Sequence, residues 1–132
     1  MTGTRIIGGG ILAGAIFYAL SLTVWALFKF LPIVPVAIAV PPEGLRALWP
    51  AVHLFVSLFV GLMWALGYAV YGRVRPGGWL YGGTIYLVGL LPTFVAHFVV
   101  SAPFRSVVVY GAIVSLIGAL LGGKVIEMVG KK

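Results

Sequence analysis

Cysteine is absent, and only two residues, Glu43 and Glu127, are acidic. The first absence excludes thiol catalysis, disulfides and thiolate metal sites. The second excludes a carboxylate pair for general acid–base work. No serine stands beside a histidine and an acid in a hydrolase motif. Gly8-Gly9-Gly10 opens an apolar run without the strand and lysine of a phosphate-binding loop. Charged residues make up 8% of the chain, against about 25% in a soluble domain. The polar surface needed to face water is missing, and no enzyme chemistry is legible.

Apolar residues fill the space left. The 132 residues are 62% hydrophobic, with a mean hydropathy of +1.18. Four apolar segments cover about residues 6–28, 51–71, 79–101 and 106–123, each near the roughly 18–20 residues that cross a hydrocarbon core as a helix. Barrel strands would be half as long and would alternate. The expected fold is all-α: a single domain over 1–132 forming a four-helix transmembrane bundle. The first segment is too long for the h-region of a signal peptide and is read as a mature helix.

The connections are unequal. Residues 72–78 (GRVRPGG) and 102–105 (APFR) form tight turns. Residues 29–50 form a long loop in which Pro32, Pro35, Pro41, Pro42 and Pro50 forbid a continuous helix. Trp49 suits an interface anchor. The net charge is +7, but the basic residues lie at segment ends rather than on one solvated face, which excludes nucleic acid as the partner class. Arg5, Arg73, Arg75, Lys124, Lys131 and Lys132 fall on one side of the membrane, and Lys29, Arg46 and Arg105 on the other. The positive-inside rule then places both termini in the cytoplasm and the proline-rich loop outside, in a prokaryotic inner membrane.

Small and polar residues recur at helical spacing on each segment and mark its packing face. The first carries Gly10, Gly14, Tyr18 and Ser21; the second His53, Ser57 and Gly61. The third carries Gly89, Thr93, His97 and Ser101; the fourth Gly111, Ser115, Gly118 and Gly122. Pro92 sits mid-segment and should kink the third helix. Glu127 lies three residues from Lys124 and is read as a helix-end ion pair.

His53 and His97 are the only histidines. Each is expected about 3–7 Å inside the outer end of its helix, at one depth. Gly61 and Gly89 lie about 12 Å further in on the same faces. Neutral imidazoles at one level, with side chains missing nearby, suit a bis-His b-type haem. A quinone or pigment contact, or a plain polar contact with Ser57 or Ser101, is the competing account.

Proton- or cation-coupled transport needs an ionisable group within the membrane. Small multidrug transporters share the helix count but carry a glutamate in the first helix, which this chain lacks. Fluoride channels carry a Thr- and Ser-rich run in the third helix; Gly82-Gly83-Thr84 starts similarly, but IYLVGLL departs. The stretch VHLFVSLFVGLMWALGYAVYG, Val52 to Gly72, resembles a helix of small uncharacterised bacterial and archaeal four-helix membrane proteins. That resemblance implies a four-helix bundle and no activity.

Three functions follow as expectations. The first is a small non-catalytic accessory subunit of a larger membrane complex, respiratory or photosynthetic by analogy, bound to lipid and to other subunits or to its own copies. The second is a bis-His haem protein of electron transfer. The third is a channel or facilitator running along the Gly, Ser and Thr stripes.

Overall fold

In lipid, a backbone amide or carbonyl without a partner costs several kcal/mol, so each apolar segment closes its own hydrogen bonds as a helix. A computed structural model describes residues 1–30, 47–71, 74–100, 102 and 105–131. Helix α1 spans Gly3–Phe30 and α2 spans Trp49–Val70. Helix α3 (Gly78–Ile85), a π turn (Tyr86–Leu90) and α4 (Leu91–Val100) run on as one third span. Helix α5 covers Arg105–Lys131. Among the described residues all regular structure is helical. Four helical stretches are long and apolar enough to cross a membrane: Gly3–Thr23, Pro50–Val70, Gly78–Val100 and Val108–Lys131. Residues 31–46, most of the expected proline-rich loop, lie outside the described residues.

Two bounds differ from expectation for physical reasons. Helix α5 continues to Lys131 rather than stopping near 123. Lys124 and Lys131, three and four residues either side of Glu127, both pair with its carboxylate and hold the last turns. The irregularity expected at Pro92 takes the form of a π turn just before it, where the Leu91 amide donates to the Tyr86 carbonyl. A π turn inserts one extra residue, which re-registers the helix ahead of the missing proline amide.

The packing order is α2 on α1, α1 on α5, and α5 on α3. Met1 touches Gly130, so the two termini meet at one end of the bundle, called here the terminal end.

Two of the helix crossings are the same crossing made twice. In the first hairpin, a Cβ on Gly10 would lie 2.7 Å from the Leu62 Cα and 3.1 Å from the Gly61 carbonyl. A Cβ on Gly14 would lie 2.6 Å from the Ser57 carbonyl and 2.7 Å from the Leu58 Cα. A Cβ on Gly61 would run into the Gly10 carbonyl and the Gly14 backbone. In the second hairpin, a Cβ on Gly78 would lie 2.6 Å from the Gly123 carbonyl and 2.7 Å from the Lys124 Cα. Gly82 meets the Ala119 carbonyl and the Leu120 Cα, and Gly123 meets the Gly78 carbonyl and the Gly82 backbone. Position for position, Gly10, Gly14 and Tyr18 correspond to Gly78, Gly82 and Tyr86. Ser57 and Gly61 correspond to Ala119 and Gly123. Both hairpins place backbone against backbone, the contact that replaces a hydrophobic driving force between helices in lipid.

Candidate functional site

The repeat makes two further seams equivalent in position: α1 against α5, and the third span against α2. They are built differently. In the α1–α5 seam, Phe17 and Leu20 lie over Gly118, at 2.8 Å and 3.5 Å from where its Cβ would be, and Ala13 lies 3.5 Å from the Cβ position of Gly122. In the other seam, Val56 and Val60 stand where Gly118 and Gly122 stand, and Tyr81 stands where Ala13 stands. Larger side chains thus stand at the matching positions of this seam. What joins the two helices is aromatic: the Tyr81 hydroxyl donates to the Trp64 carbonyl at 2.5 Å. Its ring meets Tyr68 and Tyr71 edge-on, with centroids 5.0 and 6.0 Å apart.

The result is a lateral cleft of about 330 Å³ lined by Met63, Trp64 and Tyr71 on one wall. Tyr81, Thr84, Ile85, Val88 and Gly89 line the other. The π turn supplies Val88 and Gly89, so the cleft faces an irregular stretch of the helical ladder.

At the terminal end of this seam, polar groups gather between Tyr68 and the residues just before α3. Tyr68, fully buried, donates to the Pro76 carbonyl at 3.0 Å. The Arg75 guanidinium lies 5.9 Å from the Tyr68 ring centroid. Its Nε is shut off from solvent and has no hydrogen-bond partner among the described residues. Across the bundle, Glu127 is 4% exposed. It accepts from Lys124 Nζ at 2.8 Å, from Lys131 Nζ and from the Gly78 amide. It thus neutralises two cations and sits at the positive N-terminus of α3, where a carboxylate is stabilised. Its partners tie it into a structural knot at the helix crossing.

The histidines are engaged separately. His53 is half-buried, its ring edge-on to Tyr18 of α1 with centroids 5.6 Å apart. Tyr18 donates to the Pro50 carbonyl at 3.3 Å. His97 is exposed on α4, its Nδ1 2.7 Å from the Thr93 carbonyl one turn back. A carbonyl accepts only from N–H, so Nδ1 carries a proton, and in the neutral ring Nε2 is the nitrogen with the lone pair. Among the described residues no group of three or more His, Cys, Asp or Glu is placed to hold a metal ion.

Of the expected packing glycines, Gly10, Gly14, Gly61, Gly118 and Gly122 all lie at helix contacts. Gly89 is exposed, and a Cβ there would meet nothing within 4 Å. The sequence reading missed Gly78, Gly82 and Gly123, and with them the whole cleft. The available signal was Gly-x-x-x-Gly-x-x-x-Tyr, present at both Gly10–Tyr18 and Gly78–Tyr86. Searches of protein-family models, of curated proteins and of solved structures find no match to this chain.

Proposed function

We propose that this chain is a small non-catalytic subunit of a larger membrane assembly, docked through its third span. The observation that carries this reading is the uncovered face of that span. Only 6% of its most apolar stretch is buried, against 39% in the fourth, and α4 has no buried residue. That face is not purely apolar. Gly89, Thr93 and His97, spaced one turn apart, are all exposed on it. Small and polar residues on a membrane helix are stabilised by a neighbouring helix, which accepts their hydrogen bonds and packs against the gap, and not by acyl chains. The positive-inside distribution supports termini facing the cytoplasm of a prokaryotic cell. The test is purification of the tagged chain from its native membrane in a mild detergent. The expected result is co-elution with a fixed ratio of another membrane protein, lost in a Gly89→Leu/Thr93→Leu/His97→Leu variant that still inserts. A homogeneous preparation of this chain alone would overturn the reading.

One observation favours a second reading. An imidazole that donates Nδ1–H to a backbone carbonyl is oriented and made more basic at Nε2, the arrangement found around metal-ligating histidines. His97 has it. A haem b held by His97, with His53 or a partner's group on the other face, supports electron transfer in such an assembly. A Soret band lost in His97→Ala supports this reading, and a colourless native complex sinks it.

A further inference from the structure

We infer that the open seam between α2 and the third span is a binding site for one anionic phospholipid, with an acyl chain in the cleft and the phosphate on Arg75.

The opening is specified by side chains. The equivalent pair, α1 and α5, packs closely, with Phe17 and Leu20 over Gly118 and the Trp64 ring and Ala13 over Gly122. At the equivalent places stand Val56, Val60 and Tyr81, and the Tyr81–Trp64 hydrogen bond links the two walls. The space left lies alongside exposed Val88 and Met63, so it opens sideways toward the hydrocarbon. Its walls are aliphatic and aromatic, and a flexible chain of methylenes fills such a slot with favourable dispersion contacts.

The chemistry at the terminal end selects the headgroup. Arg75 precedes α3 in the link from α2, and its guanidinium lies 5.9 Å from the Tyr68 ring, which meets the ring of Tyr81 on the cleft wall. Arg75 stands in that link, half-buried, with an Nε donor that nothing described satisfies. A buried guanidinium donor without an acceptor costs free energy, and a phosphate oxygen is its strongest partner. Charge agrees: the chain carries +7 overall, and the one acid near this end, Glu127, is already taken by Lys124 and Lys131. The lipid source is chosen over a free phosphate because Arg75 lies over Tyr68, whose ring meets the Tyr81 wall of the apolar slot.

Trp64 lines the cleft and reports on it. The experiment uses the full chain with Trp25→Phe, Trp49→Phe and Trp79→Phe, reconstituted in vesicles containing brominated phosphatidylglycerol or brominated phosphatidylcholine. Trp64 should be quenched at a mole fraction roughly fivefold lower for the anionic lipid, the factor that ~1 kcal/mol per basic residue near a membrane surface gives. Arg75→Gln should erase that difference and Arg75→Lys should keep most of it. Gly89→Leu, which fills the slot, should reduce quenching by both lipids. If Arg75→Gln does not fold, loss of the preference in high salt serves in its place. Equal quenching by both headgroups at low salt, or a Trp64 that neither lipid quenches, would overturn the proposal.

Discussion

The two hairpins share a backbone crossing and differ in what they present sideways. Gly10, Gly14 and Gly61 on one side, and Gly78, Gly82 and Gly123 on the other, bring carbonyl against Cα in the same pattern. The seams between the hairpins then diverge. Two glycines on α5 lie under side chains of α1 and under the Trp64 ring; at the matching positions α2 carries two valines and the third span a tyrosine. The lesson is that one helix-pairing device, used twice, leaves the cavity to be set by a handful of residues outside it. Backbone contact fixes the frame, and side-chain size at the equivalent seam positions decides which flank is closed.

The strongest way to break the comparison is to add a side chain at the crossing itself. Gly61→Val and Gly123→Val should each destabilise the bundle by about 3 kcal/mol or more, because the added atoms meet backbone rather than a side chain that can turn away. Denaturation in mixed micelles measures both. If the crossings are the same, the two losses should match. A loss at Gly61 with none at Gly123 would show that the second hairpin does not depend on the crossing.

A smaller change should convert one seam into the other. Val56→Gly with Val60→Gly gives α2 the glycine pair that α5 has at Gly118 and Gly122. The intrinsic cost is about 1 kcal/mol per glycine in a helix. The informative result is geometric. Since the chain has no native cysteine, Met63→Cys and Ile85→Cys can be placed across the cleft alone. A short cross-linker should join them in the double-glycine background and fail in the parent. Equal linking in both would mean that the valines do not set the opening.

The ion-paired end sharpens the difference between hairpins. Glu127 has Ala65 as its counterpart in the first hairpin, so only the second carries a charge at this position. Glu127→Gln leaves Lys124 and Lys131 without a counter-charge and weakens the acceptor for the Gly78 amide. The expected loss is about 1–2 kcal/mol, held down because both lysines reach solvent. Hydrogen exchange should rise first at the start of α3 and the end of α5, with α1 and α2 unchanged.

Hydropathy made the four spans legible, because lipid leaves an apolar run of this length only one way to satisfy its backbone. The Lys124–Glu127 pair was legible from its spacing, and so were the glycines of α1 and the first glycine of α2. The rest depends on which helix meets which. Gly78 and Gly82 read as the end of a turn and the start of a helix, since nothing local says that Gly123 lies across from them. The stripe Gly89, Thr93 and His97 has the right period for packing, yet it faces outward, because period gives a face and not a neighbour. His53 and His97 matched in expected depth along their helices. The Thr93 carbonyl follows from the four-residue spacing within one helix, but the Tyr18 ring against His53 depends on how α1 and α2 are turned about their axes, which spacing along the chain does not fix.

Gly89 offers the smallest effect and the cleanest contrast with the crossing glycines. It belongs to the π turn and lines the cleft, and a methyl group added there meets nothing within 4 Å. A glycine in a helix costs about 0.5–1 kcal/mol relative to alanine, through the backbone freedom it loses on folding. With no clash to offset that term, Gly89→Ala should stabilise the isolated protein by about 0.5 kcal/mol, while Gly61→Ala, whose methyl runs into the Gly10 carbonyl, should destabilise it. Opposite signs from one substitution at two glycines would separate residues that make the frame from those that border the opening. A loss at Gly89 in the isolated chain would mean that the seam closes further than its side chains indicate, and that the glycine is a contact after all.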